Sequence, residues 1–130
     1  MKEKIRIGMI GVGQIGKSHL HEYAQVRGAE VVAAADVNAD ELCRVAEQFK
    51  IPDTYADFRE MLKRDDIDSV DVCLHNNFHA PMTIAALRAG KNVYCEKPMA
   101  GAYVDAKAML DEARKVKRML SIQLSTVFAK

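Results

Sequence analysis

The sequence predicts an α/β domain built on a doubly wound parallel sheet. Three observations support this prediction. Apolar, strand-like runs alternate with helix-like segments throughout the 130 residues. The strand-like runs are continuously apolar rather than alternating, as expected where helices cover both faces of a sheet. A glycine-rich turn separates the first apolar run from the first helical segment, which is typical of open sheets with strand order 3-2-1-4-5-6.

The expected elements follow one another in strict alternation. Apolar runs place strands near residues 4–10, 29–36, 70–74, 91–95 and 119–124, with a short one near 53–55. Helices are predicted near residues 14–27, 39–49, 57–64, 78–89 and 101–117. Asn38 and Asp57 stand where the second and third helices begin, and both are favoured N-cap residues. Gly90 follows the fourth helix, as glycine commonly does at a helix C-terminus.

The turn after the first strand carries the pattern G-x-G-x-x-G, made by Gly11, Val12, Gly13, Gln14, Ile15 and Gly16. The first glycine permits a tight turn, the second leaves room for a pyrophosphate, and the third lets the helix pack close to the sheet. Unpaired N–H groups and the positive dipole end of the helix favour phosphate there. We therefore predict a dinucleotide-binding turn. The alternative is a tight strand-to-helix turn that binds nothing.

An acid ends the second strand, since Asp36 lies 20 positions after Gly16. A carboxylate at this place can accept hydrogen bonds from both adenosine ribose hydroxyls and would repel a 2′-phosphate. The next residues, Val37, Asn38 and Ala39, include no Arg or Lys that could receive a phosphate. We therefore expect NAD rather than NADP, with Val37 beside it. The alternative role of Asp36 is that of an acid at a helix N-terminus.

Composition narrows the classes of protein. A hydrophobic fraction of 49% is enough for one packed core, and 19 basic against 18 acidic residues form no basic stripe for nucleic acid. No apolar stretch has the length of a membrane span. Residues 1–4 lead directly into a strand, so we expect no signal peptide. Cys73 and Cys95 lie in apolar runs, and we expect buried thiols rather than a metal site or disulfides, and therefore a cytoplasmic location.

Two further loops follow strands at the expected ligand-binding edge of the sheet. They read Leu74-His75-Asn76-Asn77-Phe78-His79 and Glu96-Lys97-Pro98. Together with the glycine turn, they resemble the NAD-binding half of the glucose-fructose oxidoreductase / inositol dehydrogenase (Gfo/Idh/MocA-like) family. Asn76 and His79 match its N-x-x-H pattern, and residues 96–98 match its Glu-Lys-Pro pattern. His75 departs from it, because the family usually has proline there.

The resemblance implies a Rossmann domain over residues 1–130 of an oxidoreductase. Such an enzyme transfers a hydride between NAD and a secondary alcohol of a sugar, inositol or related polyol. Cofactor-binding roles are implied for Leu74, His75, Asn76, His79, Glu96 and Lys97. Lys97 is also the implied catalytic residue, assisting the loss of the substrate hydroxyl proton. We expect no metal site.

The family also implies a second domain that follows this one and supplies most substrate contacts and usually the homo-oligomer interface. We therefore expect this chain to be a truncated form, a gene fragment or an isolated domain. It should bind NAD without useful turnover, and a polyol only together with a second domain. The alternative is a free-standing nucleotide-binding sensor or regulatory module without catalysis.

Overall fold

A computed structural model describes residues 4–73, 76–95 and 103–122. Strands and helices alternate in these ranges, as the apolar pattern predicts. The elements are β1 (Ile5–Ile10), α1 (Gln14–Tyr23), β2 (Ala29–Ala35), α2 (Ala39–Phe49), β3 (Asp53–Tyr55), α3 (Phe58–Met61), β4 (Ser69–Val72), α4 (Asn76–Arg88), β5 (Asn92–Cys95), α5 (Tyr103–Val116) and β6 (Leu120–Ile122).

All strands belong to one parallel sheet in the order β3-β2-β1-β4-β5-β6, which confirms the predicted topology. The carboxyl ends of the four central strands are level. Ile10 pairs with Ala35 on one side and with Val72 on the other, and Val72 pairs with Cys95. The loops that follow β1, β2, β4 and β5 therefore leave the sheet along one line.

Two helices are shorter than the sequence predicts. The predicted helix over 14–27 ends at Tyr23, because the chain tightens into turns in which Gln25 N donates to Glu22 O and Val26 N donates to Tyr23 O. The predicted helix over 57–64 is a single turn, Phe58–Met61, followed by similar tight turns. The predicted bounds of α2 and β3 are matched, and every other described boundary lies within two residues of its prediction.

Helices cover the sheet from both sides, and the core has two parts. Met9 and Ala34 pack with Leu20 of α1 and with α2 on one face. Ile10, Val70 and Val72 pack with α3, α4 and α5 on the other face. Successive strand residues thus enter opposite cores, which explains why the strands are continuously apolar.

Several local predictions are confirmed. Asn38 Oδ1 accepts a hydrogen bond from Glu41 N at 3.1 Å, and Asp57 Oδ1 accepts one from Arg59 N at 2.9 Å, so both residues cap their helices. Gly90 has a φ of +87°, the left-handed conformation that favours glycine after a helix. Cys73 and Cys95 are buried. None of the helices in the described ranges combines the length and apolarity needed to cross a bilayer.

Candidate cofactor-binding site

The glycine turn joins β1 to α1 at the carboxyl edge of the sheet. Gly11 has a φ of +95°, which favours glycine, and its N–H donates to Ala35 O at 2.9 Å. α1 begins at Gln14, and Gly13 as its N-cap supplies no side-chain hydrogen bond to the first turn. No acidic residue occupies that turn either. Its backbone N–H groups are therefore available for an anion.

Gly13 and Gly16 serve different purposes within this turn. A Cβ placed on Gly13 would meet no atom within 4 Å, so the space outside this residue is open. A Cβ on Gly16 would collide with the Gly11 carbonyl oxygen and would touch Cys73 Cβ at 3.8 Å. Gly16 therefore allows α1 to lie directly against the turn, whereas Gly13 leaves room for a ligand. Both features fit a bound pyrophosphate.

Asp36 follows β2 and ties the turn to the next loop. Its Oδ2 accepts a hydrogen bond from Val12 N, and its Oδ1 accepts one from Asn38 N, each at 2.9 Å. An ionised carboxylate has about four acceptor positions. Two remain for ribose hydroxyls, so Asp36 can hold the loop and a ribose at once. Its alternative role as an acid at a helix N-terminus does not account for the bond to Val12.

The cations beside this loop already have a partner. Lys17 on α1 and Arg44 on α2 both pair with Glu41. Their hydrogen bonds hold the pKa of the Glu41 carboxyl below its usual range, that from Lys17 contributing most. Glu41 therefore stays charged and competes for both cations. This arrangement disfavours a 2′-phosphate and fits NAD better than NADP.

A cavity of about 160 Å³ lies beside the turn and Asp36. Its lining is almost entirely apolar and includes Val37, Ala56, Phe58 and Met82. Val37 is 92% exposed, so its side chain is available to a ligand. The volume and the apolar lining suit an adenine ring. A larger cavity of about 390 Å³ lies at the amino-terminal edge of the sheet, beside Lys4, whereas such sheets bind their cofactors at the carboxyl edge.

The remaining predicted site residues belong to the loops after β4 and β5. Asn76 and His79 lie in the first turn of α4, directly after β4. Leu74, His75, Glu96 and Lys97 lie outside the described residues. Glu96 follows Cys95, the last residue of β5. The level strand ends bring the start of these loops to the same edge as the glycine turn, and the roles of their side chains stay predictions.

The motifs do not identify some features of the structure. The cavity residues Ala56, Phe58 and Met82 come from elements that carry no motif. His19 belongs to none of the motifs, and it is buried beside Asp71 and Cys73. A signal for this group does exist, because Asp71 is an acid within an apolar strand and His19 follows Gly16 by one helical turn.

Comparison with known proteins agrees with this geometry. The sequence model described as "Oxidoreductase family, NAD-binding Rossmann fold" (GFO_IDH_MocA) matches residues 5–124. The chain is 34% identical over 111 residues to myo-inositol 2-dehydrogenase of Thermotoga maritima. The matched region covers 85% of this chain and 33% of the relative. It is 37% identical over 118 residues to inositol 2-dehydrogenase of Klebsiella pneumoniae, and the matched region covers 89% of this chain and 35% of that relative. The chain thus spans about a third of the length of these relatives.

Solved structures show the same likeness. A probable dehydrogenase from Thermotoga maritima superposes with a TM-score of 0.91 at 32% identity, over 95% of this chain and 37% of the other. The WlbA dehydrogenase from Bordetella pertussis, in complex with NADH and UDP-GlcNAcA, gives a TM-score of 0.88 at 28% identity, over 92% and 37%. The cofactor of this domain is NAD. The chain belongs to the NAD-binding Rossmann-fold family of Gfo/Idh/MocA oxidoreductases.

Proposed function

We propose that this chain is the cofactor-binding part of an enzyme that transfers a hydride between NAD and a secondary alcohol of a sugar, inositol or related polyol. The observation that carries the proposal is the row of level strand ends. It brings the glycine turn, Asp36 and the points where the loops after β4 and β5 begin to one edge of the sheet. The inositol dehydrogenases among the relatives support the polyol class.

The proposed roles divide along this edge. The first turn of α1 binds the pyrophosphate, Asp36 binds the adenosine ribose, and the apolar cavity beside Val37 holds the adenine. Leu74, His75, Asn76, His79 and Glu96 surround the nicotinamide end. When bound, NAD would supply the hydride acceptor, and Lys97 would take up the proton that the substrate hydroxyl loses.

The first prediction concerns the choice of cofactor. NADH should bind more tightly than NADPH, because Asp36 pairs with ribose hydroxyls and repels a 2′-phosphate. Asp36→Ala should weaken NADH binding by about 1–3 kcal/mol, since it leaves the ribose hydroxyls unpaired. It should also reduce the preference for NADH over NADPH. Calorimetric titration with both cofactors measures this. Asp40→Ala is the matched control, because it removes an exposed acid from the first turn of α2. Equal or tighter NADPH binding would contradict the prediction.

The second prediction concerns turnover. Residues 1–130 alone, supplied with NAD and with myo-inositol, scyllo-inositol or glucose, should form no NADH above background although they bind the cofactor. The full product of the gene, with whatever sequence adjoins these residues, should oxidise at least one such polyol. Lys97→Ala should lower that rate by about 10²–10⁴-fold, as expected for a general acid–base group.

Two outcomes would count against these expectations. Robust turnover by residues 1–130, abolished by Lys97→Ala, would show that the described domain needs no further substrate contacts. A full gene product that binds NADH and oxidises no polyol would favour the non-catalytic sensor. Absorbance at 340 nm, at saturating NAD, distinguishes these cases from simple loss of cofactor binding.

A further inference from the structure

A buried polar group of four side chains lies between α1 and β4, and we name it the Asp71 cluster: His19, Tyr23, Asp71 and Cys73. Asp71 has no exposed surface. Its Oδ2 lies 2.7 Å from His19 Nδ1 and accepts a hydrogen bond from the Tyr23 hydroxyl at 2.7 Å. Its Oδ1 accepts a hydrogen bond from Cys73 Sγ at 3.0 Å. A buried carboxylate is stable only when donors surround it, so these contacts fix its neighbours.

The cluster connects the helix of the glycine turn to the centre of the sheet. His19 and Tyr23 are four residues apart on α1 and therefore share one face. Asp71 and Cys73 are two residues apart and share one face of the sheet. Cys73 N also donates to Ile10 O of β1 at 2.8 Å. The cluster thus ties α1 to the two strands beneath the turn.

α1 is held at two places along its length. Gly16 lies so close to the Gly11 carbonyl that no side chain fits between them. The Asp71 cluster holds the helix one to two turns further on. Burial and the neighbouring Asp71 carboxylate raise the pKa of the Tyr23 phenol, so its hydroxyl remains a donor. Together these contacts set the rotation of α1 about its axis.

The cluster does not have the geometry of a nucleophilic triad. Cys73 Sγ lies 3.3 Å from His19 Nδ1, the same ring nitrogen that faces Asp71. In such a triad, the nucleophile and the carboxylate use different ring nitrogens. The contacts are instead those of a hydrogen-bonded support. What this support holds in place is the first turn of α1, where the backbone N–H groups face the cofactor edge.

We propose that His19 and Tyr23 are positioning residues for the cofactor, which bind the buried Asp71 and thereby aim the first turn of α1 at the pyrophosphate. This inference rests on the proposed role of the glycine turn. The adenosine half of the cofactor depends on Asp36 and the apolar cavity, neither of which lies on α1. Loss of the support should therefore weaken the binding of ligands that contain a pyrophosphate and leave the binding of adenosine unchanged.

The experiment compares ADP-ribose with adenosine as ligands of Tyr23→Phe and His19→Leu. Each variant removes one donor to Asp71 and keeps an apolar side chain in its place. ADP-ribose affinity, measured by calorimetry, should fall about tenfold or more, because the first turn of α1 is no longer aimed at the pyrophosphate. Adenosine affinity, measured by NMR titration, should change less than about twofold. His19→Asn, whose amide can donate in place of Nδ1, should restore most of the ADP-ribose affinity.

Met109→Ala is the matched control for general destabilisation. Met109 lies on α5 and is buried in the core on the opposite face of the sheet. This variant should lower the unfolding temperature and leave both affinities unchanged, at a temperature where circular dichroism shows every variant folded. Variants at 19 and 23 that unfold more easily but bind ADP-ribose normally would overturn the proposal. Equal weakening of ADP-ribose and adenosine would overturn it as well.

Two further results have separate meanings. His19 Nδ1, an Asp71 oxygen and Cys73 Sγ lie within 4.8 Å of one another, and atoms of these types also bind zinc. One equivalent of zinc in the purified protein, removed by EDTA together with ADP-ribose affinity, would overturn the hydrogen-bonded role in favour of a metal site. Failure of the unaltered protein to bind ADP-ribose would instead refute the proposed role of the glycine turn.

Discussion

Gly13→Val is expected to abolish measurable NADH binding while the domain stays folded. The valine side chain would occupy the open space outside Gly13, where the proposed pyrophosphate lies. Each charge-assisted hydrogen bond lost from the first turn of α1 costs about 1.5–3 kcal/mol, so affinity should fall about a hundredfold or more. Calorimetric titration with NADH measures the loss.

The fold should tolerate this substitution for two reasons. A Cβ at Gly13 meets no atom within 4 Å, and the backbone there has a φ of −71°, which any residue can adopt. Valine is a poorer N-cap than glycine, so stability should fall by no more than about 1 kcal/mol. Gly28→Val is the matched control, because a Cβ at Gly28 also meets nothing within 4 Å, at the other end of the sheet. Normal NADH binding by Gly13→Val would mean that the turn has only a structural role.

Gly16→Ala should act mainly on stability, whereas Gly13→Val acts mainly on NADH binding. The added methyl group would collide with the Gly11 carbonyl oxygen, a backbone atom that cannot rotate away. α1 would have to move from the turn, and overpacking of this kind costs about 1–3 kcal/mol. The higher helix propensity of alanine offsets up to about 1 kcal/mol of that cost. Urea unfolding measures the net change, and NADH binding should weaken with it.

Gly13→Ala provides the control for the second substitution, because it adds the same methyl group three residues earlier in open space. Because alanine is also a poorer N-cap than glycine, it should lower the stability by no more than about 1 kcal/mol. A Gly16→Ala variant more stable than the unaltered protein would show that α1 can shift without cost. The two glycines of one motif are thus distinguished by separate measurements, ligand affinity at position 13 and unfolding at position 16.

Much of the fold is predictable because its signals are local. Each strand is one continuous apolar run, and the turn at residues 11–16 places the first helix after the first strand. The caps at Asn38 and Asp57 depend on the next few residues only. The strand order then follows from the known arrangement of such alternating sheets. The shortened α1 was not predictable, since the turns at residues 24–27 depend on how the chain enters β2.

The site is less predictable because its contacts join distant residues. The motif identifies Asp36 as a ribose ligand but not its bond to Val12 N, which spans 24 positions. The contact of His19 with Asp71 spans 52 positions. Neither contact follows from a spacing rule. The first depends on how two loops meet at the edge of the sheet, and the second depends on the packing of α1 against the sheet. The apolar cavity likewise exists only where α3, α4 and β2 meet.

The two backbone bonds of Asp36 have a consequence for the entropy of cofactor binding. In the free protein, this side chain already joins the glycine turn to the loop before α2, so both segments keep their geometry before any ligand arrives. Ordering a flexible segment during association reduces affinity. A site assembled in advance avoids that loss and admits the adenosine half of NAD with little rearrangement of the chain.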